Sequence, residues 1–198
     1  MNVPQRSLNM ATKLTDYIKC YDNMVNDSLC NEIIGAFKES GTTYVNREQR
    51  PTFHELNISK KFKAKDPLWE KPQSILTETF IDVVNLYMED LEIARDFPVK
   101  YTFEEYRMKR YEANDYDQFK DHVDVQDYSS ARRFVVIFLY LNDVLEGGES
   151  NFPKLDLAIT PKQGRILVFP ANWQYRHAGL PVKSNDKYII GSYLHYLE

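Results

Sequence analysis

Two histidines and one aspartate in the C-terminal half of this chain have the types and spacing of a metal site. The stretch FKDHVDVQ at 119–126 places His122 two residues before Asp124. Alternate residues of a strand point to the same face, so an imidazole nitrogen and a carboxylate oxygen can reach one point. His177, which follows RILVFP and WQYR, could supply a third ligand. Two histidines and one carboxylate form a facial triad suited to non-haem iron(II), although a His-x-Asp pair alone often occurs by chance.

Lys187 opens the apolar segment KYIIGSYLHYL, ten residues after His177. One interpretation is a strand-end lysine whose ammonium reaches solvent. The other is an ammonium inside a barrel that binds the far carboxylate of a dicarboxylate cosubstrate whose other end chelates the metal. The second interpretation has a physical reason, since an unpaired buried lysine is costly or loses its proton.

The elements that would hold these residues change in kind along the chain. Apolar residues at helical spacing predict a helix over 27–39, with Asp27 or Ser28 as its N-cap, and a second helix that begins at Asp66-Pro67. The segment 42–65 between the two helices is polar, which favours an irregular loop. Its basic run KKFKAK at 60–65 is interpreted as solvated, with a partner contact as the alternative.

After Phe97-Pro98 short β-rich runs alternate with turn residues. Strands are predicted near 101–111, 133–141, 164–169, 174–177 and 187–196. The run RFVVIFLYL is apolar on both parities and predicts a central strand that is covered on both faces. Helices followed by many strands favour a helix-backed sandwich or jelly roll.

Length and composition limit the classes of protein. The 198 residues suit one domain over 1–198, with helical support at 1–98 and a jelly-roll core at 99–198. The net charge of −4 comes from mixed charges, so nucleic acid is not an expected partner. There are two cysteines and neither an apolar leader nor a long apolar run. We therefore expect a cytoplasmic protein without a membrane partner.

Three segments in order carry a resemblance to a known family. They are His122-x-Asp124, then YLNDVLEGGESNFP at 140–153, then HAGLPVKSNDKY at 177–188. The chain resembles the iron(II)- and 2-oxoglutarate-dependent dioxygenases, closest to the prolyl 4-hydroxylase group. The resemblance implies a mostly β fold with α-helices, namely a double-stranded β-helix (jelly roll) backed by N-terminal helices.

The resemblance also implies roles for individual residues. It makes His122, Asp124 and His177 catalytic iron ligands, and it makes Lys187 the partner of the 2-oxoglutarate carboxylate. Further residues are implied at the cosubstrate and in a peptide groove. At the cosubstrate these are Tyr111 and Ser150, and in the groove they are Arg133, His195, Tyr193 and Phe119. Tyr193 stands where the group commonly has tryptophan, and Phe119 where it has tyrosine.

The implied activity is hydroxylation of a peptidyl side chain, most simply proline, with succinate and carbon dioxide as coproducts. Iron(II), 2-oxoglutarate and O2 are the implied cofactors and cosubstrates, with ascorbate as reductant. A peptide or protein is the expected substrate, and a monomer the expected state. Two alternatives stay open: hydroxylation of a free amino acid or another small metabolite, and a jelly-roll binding module without turnover.

Overall fold

The computed structural model describes residues 11–47 and 51–197. Three α-helices are present in these ranges: α1 (Asp27–Glu39), α2 (Ile58–Lys63) and α3 (Pro67–Leu91). The predictions for α1 and α3 are confirmed. The N-cap of α1 is Asn26 instead of Asp27 or Ser28, because its side chain accepts the amide N–H of Leu29.

Most of the strands form one large antiparallel sheet, and the rest form a small one. The strands of the large sheet, from one edge to the other, are β1 (Lys19–Tyr21), β10 (Ile166–Pro170), β7 (Arg133–Tyr140), β12 (Lys187–Tyr196), β5 (Arg107–Tyr111), β3 (Thr52–Asn57) and β2 (Thr43–Asn46), with β4 (Tyr101–Phe103) also paired to β12. The small sheet has the order β6 (Phe119–His122), β11 (His177–Gly179), β8 (Ser150–Phe152) and β9 (Leu157–Ile159).

The helices cover one face of the large sheet, and the small sheet covers the other. Alternation along β7 shows this directly, since Ile137 and Leu139 pack with residues of α1 and α3, whereas Val136 and Tyr140 pack between the sheets. The prediction that RFVVIFLYL is a central strand covered on both faces is therefore confirmed. So is the predicted mostly β, helix-backed jelly roll.

Three predicted elements differ from the structure. The segment 42–65, expected as an irregular loop, contains β2, β3 and α2, so most of the KKFKAK run lies on a helix. The strand expected at 174–177 is a 3-10 helix, Trp173–Tyr175, followed by β11. The strand expected over 101–111 is interrupted at 104–106 and forms β4 and β5.

Two further observations concern the chain as a whole. The absence of an apolar leader was predicted on residues 1–14, of which 1–10 lie outside the described ranges. Within those ranges, no helix has both the length and the apolar character needed to cross a membrane.

Candidate metal centre and its cleft

The three predicted metal ligands converge between the two sheets. β6 ends at His122, and His177 begins β11 directly opposite it in the antiparallel register. Asp124 lies two residues beyond the end of β6 rather than on the strand, yet its carboxylate turns back to the same point. One ligand atom from each residue lies within 4.8 Å of the other two.

Backbone contacts orient both imidazoles. Nδ1 of His122 lies 2.7 Å from the carbonyl oxygen of Lys120, and Nδ1 of His177 lies 3.0 Å from that of Tyr175. A carbonyl oxygen can only accept, so each Nδ1 carries the proton and donates it. Each Nε2 then keeps its lone pair, as a metal ligand requires.

Two buried polar atoms at this point have no hydrogen-bond partner. They are Oδ2 of Asp124 and Nε2 of His177, which lie 3.7 Å apart. Buried polar atoms are rarely left unsatisfied, and a divalent cation between them would satisfy both. A His-Asp-His donor set also matches the facial triad of non-haem iron(II). The residues present therefore fit iron(II).

Neighbouring aromatic residues keep the centre apolar and hold the carboxylate. The ring of Phe119 stacks on His122 with centroids 3.9 Å apart. Tyr193 donates its hydroxyl to Oδ1 of Asp124 at 2.8 Å, which leaves Oδ2 for the metal. Burial lowers the pKa of His122 to about 4, with a smaller lowering from His177. The imidazole is therefore neutral near pH 7 and ready to ligate.

An inner cavity lies beside the triad, and Lys187 lies in its wall together with Tyr111 and Ser150. Lys187 is only 1% exposed, which excludes the interpretation that its ammonium reaches solvent. Burial lowers its pKa to about 7. Its Nζ lies 4.5 Å from the centroid of the Tyr111 ring, and Ser150 Oγ is 2.6 Å from the hydroxyl of Tyr140.

The turn Gly147-Gly148 accepts the one hydrogen bond that the Lys187 ammonium makes among the described residues. Both glycines have positive φ, at 77° and 74°, a conformation that favours glycine. A Cβ at Gly147 would lie 2.4 Å from the carbonyl oxygen of Pro181. This conformation brings the carbonyl oxygen of Gly148 to 2.8 Å from Nζ of Lys187. An ammonium has three donors, so an anion in the cavity can still bind the others.

An outer groove lies next to the inner cavity, and the residues predicted to bind peptide line it. Arg133 forms a two-pronged ion pair with Glu104, with N–O distances of 2.8 and 2.9 Å. Its guanidinium also lies 4.1 Å from the centroid of the Tyr193 ring. His195 Nδ1 lies 3.6 Å from Glu104 Oε1. Arg133, Tyr193, His195 and Phe119 thus all border one groove.

Two residues of the cleft are missing from the sequence-based set. Glu104 has no motif around it and is recognisable only once Arg133 lies beside it. Lys109 lines both the inner cavity and the outer groove. A signal for Lys109 did exist, because it precedes Tyr111 by two residues and alternate strand residues share a face. By contrast, Arg176 and Asp121, next to the ligands in sequence, pair with each other at 3.1 Å.

Known proteins resemble this chain in the part that carries the predicted metal ligands. Residues 106–195 match the model of the 2OG-Fe(II) oxygenase superfamily. A protein of Acanthamoeba polyphaga mimivirus named "Putative prolyl 4-hydroxylase" is 26% identical over 180 residues, which cover 85% of this chain and 69% of that protein.

Solved structures share the fold. A viral collagen prolyl hydroxylase from Paramecium Bursaria Chlorella virus-1, solved with 2OG, has a TM-score of 0.63 at 21% identity and covers 91% of this chain and 97% of its own. A Trichoplax adhaerens prolyl hydroxylase, solved with a hypoxia inducible factor peptide fragment, has a TM-score of 0.72 at 16% identity, with 91% and 84% covered. The shared fold confirms the predicted jelly roll. The match to the 2OG-Fe(II) oxygenase model and the His-Asp-His donor set bear out the predicted enzyme class and the predicted iron(II) and 2-oxoglutarate.

Proposed function

We propose that this chain, a 2OG-Fe(II) oxygenase by its family match and its donor set, hydroxylates proline residues in a peptide or protein. One observation carries the proposal: unpartnered donor atoms of a His-Asp-His triad lie beside a cavity that holds a buried lysine, and Phe119 and Tyr193 border both this cavity and a larger groove. The names of its relatives support the choice of proline.

The position of each residue in the cleft suggests whether it binds the metal or the cosubstrate. His122, Asp124 and His177 would hold iron(II), and Lys187 would bind the far carboxylate of 2-oxoglutarate, with Tyr111 and Ser150 beside it. When bound, iron and 2-oxoglutarate supply the oxidation, which consumes O2, releases succinate and carbon dioxide, and places a hydroxyl on carbon. Ascorbate would serve as the reductant that keeps the metal iron(II).

The groove residues position the substrate and need no acid–base role. Two short contacts to Glu104 hold the Arg133 guanidinium in place, and His195 lies beside the same carboxylate, so Arg133 presents a defined surface to a peptide. The aromatic rings of Phe119 and Tyr193 separate the groove from the metal ligands and help to exclude water. Such positioning can contribute several orders of magnitude in rate.

The other expectations stay predictions. These are the division into 1–98 and 99–198, the monomeric state, the absence of nucleic-acid and membrane partners, and the cytoplasmic location. The mixed charges and net charge of −4 support the absence of a nucleic-acid partner.

The first experiment is an anaerobic titration of 2-oxoglutarate into the iron(II)-loaded protein, followed through the visible metal-to-ligand charge-transfer absorption. We expect a band in the wild type that weakens in both Asp124→Ala and Lys187→Ala. The second step offers proline peptides with O2 and locates any added oxygen atom by mass spectrometry. A band without hydroxylation of any proline peptide would contradict the prolyl proposal, and hydroxylation of free proline alone would favour the small-metabolite alternative. No band with iron loading verified would contradict the cosubstrate site.

A further inference from the structure

Lys109 lies at the junction of the inner cavity and the outer groove. It belongs to β5 and lines both spaces. Its Nζ lies 4.8 Å from the centroid of the Phe53 ring and 5.2 Å from that of Phe119. Phe119 also stacks on His122, so the Lys109 ammonium and one predicted metal ligand both lie against the same aromatic ring.

Within the described residues, no carboxylate forms an ion pair with Lys109. Glu55 is its direct cross-strand partner, but Oε1 of Glu55 binds Nη1 of Arg107 at 2.9 Å. Asp124, the other nearby carboxylate, accepts the Tyr193 hydroxyl with Oδ1 and turns Oδ2 to the metal position. Lys109 is thus left with two aromatic faces and no anion.

Two other cationic side chains of the groove are already paired. Arg133 is paired with Glu104, and Arg107 with both Glu55 and Glu105. Loss of hydration lowers the pKa of Lys109, and the charges of Glu55 and Asp124 only partly oppose that loss. An anion brought in by a ligand would restore the stabilisation that Lys109 lacks, and a partly dehydrated site makes such a pair strong.

We propose that the Lys109 ammonium binds a carboxylate of the substrate, so that this enzyme prefers prolines with an acidic group close by. The inference rests on the proposed function and narrows its substrate class. The distances from the ammonium to the Phe119 ring and from that ring to the His122 ring keep Lys109 within about 9 Å of His122. A strand advances about 3.3 Å per residue, so the carboxylate would lie within about three residues of the target. The carboxylate belongs either to a flanking Asp or Glu side chain or to the C-terminus of a peptide that ends in the target proline.

Equilibrium binding to the zinc(II)–2-oxoglutarate form, which cannot turn over, tests the proposal without activity. Fluorescent proline peptides would carry Asp, Asn or Lys beside the target, and a second pair would end in proline with a free or an amidated carboxyl group. We expect one acidic member to bind roughly tenfold more tightly than its neutral match. The member that does so identifies the source of the carboxylate.

Variants then assign the preference to Lys109. Lys109→Met should make acidic and neutral peptides bind equally, and Lys109→Glu should favour the Lys peptide. The matched control is Lys63→Met, an exposed lysine of α2, which should keep the wild-type preference. Circular dichroism of each variant checks folding, and competition by unlabelled peptides provides a second measure of affinity.

Three results would overturn the inference. The first is that the wild type binds acidic and neutral peptides equally and also binds free and amidated C-terminal prolines equally. The second is an acidic preference that survives in Lys109→Met. The third is a loss of 2-oxoglutarate affinity in Lys109→Met as large as in Lys187→Met. The last would assign Lys109 to the cosubstrate. Failure of the prolyl proposal looks different: acidic peptides would bind preferentially but gain no oxygen atom when iron(II) and O2 are supplied.

Discussion

The inner cavity and the outer groove use polar side chains in opposite ways. In the cavity and at the triad, Lys187, Asp124 and His177 are buried, and each has donor or acceptor capacity that no protein atom uses. In the groove, Arg133 and Glu104 are about one quarter exposed and satisfy each other. A site that binds small charged ligands tightly leaves buried groups unpaired, whereas a surface that holds a peptide is fixed in advance by its own ion pairs.

The largest effect on the difference between the cavity and the groove is expected when a metal ligand is removed. Asp124→Ala deletes the buried carboxylate, so iron(II) binding should be lost and hydroxylation should fall by at least about 10³-fold, as when one member of a catalytic unit is removed. Metal content after dialysis and single-turnover assays measure both effects. Asp121→Ala, an exposed aspartate paired with Arg176, is the control and should retain iron. Retention of iron by Asp124→Ala would disprove the assigned ligand set.

Replacing the buried lysine should weaken cosubstrate binding alone. Truncating one partner of a buried, hydrogen-bonded charge pair costs about 2–5 kcal/mol, so Lys187→Met should raise the dissociation constant of 2-oxoglutarate by roughly 100-fold. Anaerobic titration measures that constant, and iron affinity should be nearly unchanged. Lys183→Met, an exposed lysine near Glu146, should behave as wild type. An unchanged dissociation constant in Lys187→Met would contradict its role.

The same lysine predicts a pH dependence. Its folded pKa of about 7 lies below the unfolded value of 10.5, so the unfolded chain binds more protons between these pH values. The free energy of unfolding of the ligand-free protein should therefore rise as pH increases from about 7. The dissociation constant of 2-oxoglutarate should rise up to about tenfold per pH unit over the same range, because the anion binds the protonated amine. In Lys187→Met the slope of the dissociation constant should be absent, and the slope of the free energy of unfolding should be smaller.

Tyr193→Phe tests the boundary between the two regions. The variant keeps the ring beneath Arg133 but removes the hydroxyl that holds Oδ1 of Asp124. Residues that orient metal ligands typically change affinity by about 10–100-fold, so iron(II) affinity should fall by roughly tenfold. Competition with a chelator measures it. A loss confined to the peptide KM would instead assign Tyr193 to the substrate alone.

The smallest effect is expected in the groove. Glu104→Gln removes the charge that fixes Arg133 and His195, and partly exposed pairs of this kind are worth about 0.5–1 kcal/mol. We expect a peptide KM raised a few-fold with the dissociation constant of 2-oxoglutarate unchanged. Steady-state kinetics with both substrates separates the two. A change in 2-oxoglutarate affinity would show that the cavity and the groove are not independent.

The sequence reveals the residues of the cavity better than those of the groove. His122, Asp124, His177 and Lys187 could be identified because their residue types, order and spacing resemble the motifs of a known family. β3 was missed because polar residues alternate with apolar ones on both of its faces. Glu55 shares a face with Phe53, and His54 shares the other face with Leu56, so no apolar period is visible in the sequence. The 3-10 helix at Trp173–Tyr175 depends on the Asn172 side chain, which accepts the Gln174 amide, a contact that no periodicity shows.

Lys109 and Glu104 illustrate the remaining limit. A lysine in a strand has the same local pattern whether its ammonium meets solvent or two aromatic rings, and Phe53 and Phe119 come from distant segments. Only the pairing of β5 with β3 brings Phe53 beside it. Charge matching across a groove is likewise a property of the assembled sheet rather than of any single segment.

β12 carries Lys187 at its first residue and Tyr193 and His195 near its last. This one strand therefore sets the distance between the lysine in the inner cavity and the residues of the outer groove. Eight residues at about 3.3 Å each give it a working length of about 26 Å. Inserting or deleting one residue would turn either the lysine or the groove residues to the opposite face. Substitutions along β12 can therefore change which substrates fit while the two sites keep their relative position. Insertions or deletions in β12 would change the position of the lysine relative to the groove residues.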